Sequence, residues 1–212
     1  MAEHGAKPVR DRVTALLAAD LPNRIPLAVN LWSLDHMELP SPDMVHSGDI
    51  ADGVLDHRGE TWIEVITPRL MPRTRSMGLN PSGYMTHRYR YSARIYVWVI
   101  SPGWDDAVDI RDRTATVTRD SLLTYPTLAV PPASGDTGFL VRYDTIAEEF
   151  GEPFRVGQRS GGSPRVRAGA LLNYEIEHEY AAGDPLTETA WGTFDTYDLR
   201  VRLVPVLTHI GG

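Results

Sequence analysis

The densest groupings of charged side chains in this sequence are two alternating runs. Arg88, Arg90 and Arg94 recur through HRYRYSARIY, and Glu175, Glu177 and Glu179 recur through YEIEHEY. Residues two apart on an extended chain share a face, so each run presents a row of one sign, guanidinium in the first and carboxylate in the second. Rows of this kind recognise a surface of opposite charge, by charge-assisted hydrogen bonds, and neither one alone is a proton-transfer or nucleophilic site. From Val65 to Trp104 there is no Asp or Glu, while Arg69, Arg73, Arg75, Arg88, Arg90 and Arg94 all fall inside that stretch. The chain as a whole carries a net charge of -7, so the asymmetry predicts two faces with different electrostatic partners.

Arrangements that would do chemistry are missing from the sequence. It holds no GxSxG elbow, no GxxxxGK[ST] loop and no HExxH helix, and with no cysteine there is neither a thiolate nucleophile nor a disulfide framework. Its seven histidines, His4, His36, His46, His57, His87, His178 and His209, lack ligand spacing. Asp49, Asp52, Asp56 and Glu60 do not follow the alternation of a calcium loop. The tract 157–164, GQRSGGSP, is followed by strand-type residues where a phosphate cradle needs a helix, which makes it a hairpin tip. The chain is therefore read as a non-enzyme with no metal and no cofactor. Interleaved Arg and Tyr in the Arg69 to Arg94 tract also fit a stacking surface for nucleic acid, a more distant alternative given the acidic balance.

The elements that must position the two rows follow from periodicity. Val9, Val13, Leu16 and Leu17 predict a short amphipathic helix over 8–19, ended by Asp20 and Pro22. Pro22, Pro26, Pro40, Pro42, Gly48 and Gly53 then interrupt the chain, so 21–59 reads as an arm or insertion with at most a short strand near 25–32. A strand is predicted at 61–67, stopped by Pro68, and a long one at 84–101, with Tyr89, Tyr91, Ala93, Ile95, Val97 and Val99 on one face and Arg88, Arg90, Arg94, Tyr96 and Trp98 on the other. Asp105 and Asp106 open a long helix whose stripe runs through Ala107, Ile110, Thr114, Val117, Ser121 and Leu122 to a stop before Pro126. Shorter strands follow near 138–143 and 154–158. A long hairpin over 165–207 closes the chain, with 181–195 as its loop and TYDLRVRLVPVL as its second arm; Pro205 confines that arm to an edge. The sum is one domain over 1–212 of α+β class, a mostly antiparallel β-sheet flanked by one long and one short α-helix, with an extended arm and a long β-hairpin. No apolar run approaches the roughly 20 residues of a membrane span, and the N-terminus does not read as a signal peptide.

The order of these elements, and above all RIYVWVISPGWDDAVDIRDRTATVTRDSLLTYPTL after LAADLPNRIPL and ELPSPD, resembles the tail terminator and head-to-tail connector (neck) proteins of long-tailed bacteriophages. The resemblance implies a structural virion protein of siphovirus type. It implies a hexameric ring that caps the tail tube and joins it to the head connector, in the virion after assembly in host cytoplasm. A head-closure (stopper) or adaptor role in the neck is the alternative. Implied partners are copies of itself, the tail tube protein and a head-closure or connector protein, with DNA passing through the lumen without specific binding and no membrane. On that reading the Arg88, Arg90, Arg94 face meets the Glu175, Glu177, Glu179 strand of an adjacent subunit.

Overall fold

A computed structural model describes residues 5–48, 61–70, 75–79, 85–131, 137–156 and 165–181. Its first helix, α1, covers Ala6–Trp32 and contains both Pro22 and Pro26. The predicted stop at Asp20 and Pro22, and the short strand near 25–32, are thus replaced by thirteen more residues of helix, 20–32. The reason lies in spacing. Prolines four residues apart fall on one side of a helix, and both are exposed, so the carbonyls they leave unpaired face water. On the opposite side the apolar row continues unbroken through Leu16, Leu17, Leu21, Ile25 and Ala28, all buried. The helix stops at Ser33, which takes a left-handed conformation (φ 56°), while Leu34 N–H donates to the Val29 carbonyl at 3.0 Å.

Part of the predicted arm is structured. A 3-10 turn at His36–Glu38 is closed by reciprocal bonds between Asp35 and Glu38. Strand β1 (Met44–Ser47) then lies parallel to β2 (Thr61–Leu70). β2 passes Pro68 without ending, because the register shifts between Ile66 and Arg69 and places the proline at an irregularity of the ladder. β3 (Arg75–Leu79) pairs with β4 (Met85–Ser101), and helix α2 (Trp104–Thr124) follows almost directly. Asp105 and Asp106 occupy its first turn, and the cap position is Gly103. With β5 (Phe139–Phe150), β6 (Phe154–Val156) and β7 (Arg165–Ala181), the described residues form a seven-stranded sheet of order β1-β2-β4-β7-β5, with β3 beside β4 and β6 beside β7. Among the described residues every pairing but β1 with β2 is antiparallel.

Both helices lie on one face of this sheet. α1 packs over β1 and β2, α2 packs over β4, β7 and β5, and the two helices touch. The covered face is made of Ile63, Val65, Ala93, Ile95, Val97, Leu172, Tyr174 and Ile176. At one end, Ala107 of α2 meets Val166 and Ala168, small side chains that allow close approach. Polar links pin the helices to each other and to the sheet. Asp20, buried in α1, accepts from Ser121 of α2 at 2.7 Å and is paired with Arg24. Arg111, also buried, donates to the Gly151 carbonyl at 2.6 Å and lies over the Phe150 ring. Its position one turn after Ala107 and one before Ala115 on the buried side of α2 is the signal a sequence reading could have used.

Candidate interaction surface

No described helix lies on the opposite face of the sheet, which carries the even-numbered side chains of β4 and the odd-numbered ones of β7. Register decides who meets whom: Arg88 stands opposite Glu179, Arg90 opposite Glu177, Ser92 opposite Glu175 and Arg94 opposite Asn173. Arg88 pairs with Glu179 at 2.7 Å and with Glu177 at 3.2 Å. Arg90 pairs with Glu177 at 2.9 Å and with Glu175 at 3.6 Å. From β5, Arg142 reaches Glu177 at 3.0 Å. The Glu177 side chain, 4% exposed, is thus ringed by guanidinium groups from two neighbouring strands. The Arg88 guanidinium is held above its ordinary value, chiefly by its hydrogen bond to Glu179.

This ladder corrects the intersubunit pairing expected from the sequence. Five of the six residues do meet, within one chain, because β4 and β7 are neighbours in the same sheet. Their charges are satisfied there. Arg94 is exposed and outside the ladder. The same pairing takes Arg88 and Arg90 away from the phosphate-binding alternative, since each guanidinium already faces a carboxylate.

At its other end the open face is aromatic. Trp98 stacks on Tyr96 (6.2 Å between centroids) and on Trp62 (6.4 Å). The Arg167 guanidinium sits 4.8 Å from the Trp98 ring and 5.1 Å from that of Trp62. Trp98 lies flat across Gly169, where a Cβ would overlap its ring, so the glycine makes room for the stack.

A cleft of about 360 Å³ lies between the start of α1 and the β5–β7 end of the covered face, lined by Pro8, Asp11, Arg12, Phe139 and His178 among others. The His178 ring stacks on Phe139 at 4.2 Å. Burial would raise the Asp11 carboxyl, but hydrogen bonds from Lys7 and Ser47 and the charges of Lys7 and Arg10 outweigh it and hold the group below its ordinary value. A carboxylate so placed is a structural tie between α1 and β1, not a base poised near neutral pH.

Among the described residues no three His, Cys, Asp or Glu side chains converge as a metal site, and no helix is long and apolar enough to cross a membrane. The acidic tract Asp49 to Glu60, the glycine-rich 157–164 and the predicted strand 196–207 lie outside the described residues.

The surface that sequence reasoning missed is on α1. Leu21 to Trp32 holds one charged residue, Arg24, in twelve. Its inner side is core, yet Leu27 is 68% and Leu31 80% exposed. Trp32 and, just beyond, Met37 are also exposed. Taking the prolines as a helix stop hid this face, since a helical wheel through 21–32 places Leu27 and Leu31 one turn apart on the outside.

No protein-family model matches the chain, and no curated protein matches its sequence.

Proposed function

We propose that the chain is a structural subunit of a long-tailed phage neck, a tail terminator whose copies close into a hexameric ring on the tail tube. The observation that carries this reading is the second half of α1. Leu27, Leu31 and Trp32 stand exposed on the outer side of this helix, and contiguous exposed apolar surface marks an interaction site. Leu27, Leu31, Trp32 and Met37 are therefore assigned to the contact with a second copy. What supports the resemblance in this chain is the direct succession of β4 and α2, which carries the phrase RIYVWVISPGWDDAVDIRDRTATVTRDSLLTYPTL. Tail tube protein on one side and a head-closure or connector protein on the other are the partners this role requires, with DNA crossing the lumen unbound.

The test is the solution mass of the protein by light scattering, with electron microscopy of the particles alone and after addition of tail tubes. The reading expects a species about six times the 23.6 kDa chain, or a monomer that forms such rings on tubes. Leu27→Glu combined with Leu31→Glu should abolish it while shifting the monomer's unfolding midpoint by no more than about 2 °C, because both sites are on the surface. A wild-type chain that stays monomeric and ignores tubes ends the proposal.

A further inference from the structure

Arg12 stands on the second turn of α1 with its Nε shut off from water, and among the described residues no acceptor reaches that nitrogen. Burying a donor without an acceptor is unfavourable, more so when the group is charged. Other arginines of the molecule avoid the penalty. Arg111 donates to the Gly151 carbonyl, Arg24 to Asp20, and Arg88, Arg90 and Arg142 reach the glutamates of β7.

Arg12 lines the cleft of about 360 Å³ between the start of α1 and the β5–β7 end of the covered face, a volume in the range of roughly 300–1,000 Å³ that small-ligand pockets occupy. Neighbouring polar groups in the cleft are engaged. Asp11 accepts from Lys7 and from Ser47, so its charge is answered by the ammonium. The Thr137 hydroxyl donates to the Thr127 carbonyl. Arg12 therefore sets the sign of the cleft, which favours an anion.

The walls define the rest of the occupant. Phe139 and His178 are register partners on β5 and β7, and their rings stack 4.2 Å apart at an angle of 9°, so this side of the cleft is a flat ring surface. From α1 come Pro8 and Ala15, one turn before and one turn after Arg12, short side chains that leave a slot beside the rings. A guanidinium matches the two oxygens of a carboxylate, and an aromatic wall matches a planar apolar body.

We propose that this cleft binds a small aromatic carboxylate, with the acid group on Arg12 and the ring against Phe139 and His178. All of these residues belong to one chain, so the site is present in a monomer and in a ring alike and stands apart from the neck reading.

Calorimetric titration of the full-length protein with three probes separates the two recognition elements: benzoate carries ring and charge, benzamide the ring alone, acetate the charge alone. Benzoate should bind at millimolar concentration, about ten-fold or more tighter than either of the others. Arg12→Gln should lower benzoate affinity by about the same factor and leave the thermal midpoint no lower than in the wild type, since the buried donor it removes has no acceptor to lose. Ala15→Leu, at an exposed helix position, narrows the slot without touching a charge; it should weaken benzoate as well, and it carries the test if Arg12→Gln fails to fold. Wild-type protein that gives no heat with benzoate, acetate that binds as tightly as benzoate, or benzoate affinity unchanged by either substitution in a folded chain overturns the proposal.

Discussion

The two faces of the sheet are built from alternate residues of the same strands, yet they are held by different forces. On the helix-covered face, Ile95, Val97, Leu172 and Ile176 are all but inaccessible, and each contributes through apolar area removed from water. On the open face, alternate residues of the same strands, Arg90, Glu177 and Trp98 among them, contribute through pairing geometry. Buried area is tolerant of detail, whereas a charged ladder is not: a one-residue slip of β4 against β7 would turn Arg88 and Arg90 into the core and expose Ile95 and Val97. The covered face supplies stability, and the open face fixes register.

Substitutions on the two faces should separate these roles. Leu172→Ala, at 0% exposure, is expected to cost about 3 kcal/mol in urea denaturation through lost contacts and a residual cavity. A loss below about 1 kcal/mol would mean that the helices settle onto the sheet more freely than this packing implies. Glu177→Ala leaves the guanidiniums of Arg88, Arg90 and Arg142 facing one another, and should cost about 2 kcal/mol, discounted from the fully buried case because the arginines are partly exposed. The loss should shrink in high salt, which screens their repulsion; a salt-independent loss would point to packing instead.

The smallest effect has the opposite sign. Tyr174 lies on the covered face at 1% exposure, and its hydroxyl has no hydrogen-bond partner among the described residues. Tyr174→Phe should therefore stabilise by about 1 kcal/mol. Burial, with a contribution from Glu148, pushes the Tyr174 phenol well above its ordinary value. With the folded-state value raised, the unfolded chain loses its proton first: stability is complete below pH ~10 and falls as pH rises beyond it. The Phe variant should flatten that alkaline decline in denaturation curves taken from pH 8 to 11, and an unchanged slope would assign it to other groups.

How far the sequence could be read varied with the range of the interaction involved. The long strand β4 and helix α2 were legible almost to the residue, because alternation in YSARIYVWVIS and the three-to-four spacing of Ala107, Thr114, Val117 and Ser121 are local patterns. α1 departs from its local signal: proline breaks a helix locally, but the apolar row from Leu16 to Ala28, bound to the sheet on one side, outweighs two missing hydrogen bonds on the other. The arginine and glutamate rows were visible as rows, and their mutual attraction was foreseen. That they attract within one subunit was not, since complementarity says nothing of which chain carries the partner.

By itself, then, the sequence determined the α+β class, the positions of the main elements, the alternation that divides the sheet into an apolar and a charged face, and the absence from the primary structure of the common catalytic motifs. All of these follow from periodicity and residue type, which are properties of neighbours along the chain. The tertiary structure alone decided the strand order β1-β2-β4-β7-β5, and with it the closure of the Arg–Glu ladder, the bridge from Asp20 to Ser121, the exposure of Leu27 and Leu31, and the loss of both edges of β7. Those depend on contacts between residues tens of positions apart, and such contacts are chosen by the packing of the whole chain, since many pairings satisfy the local pattern equally well and only one buries the shared core.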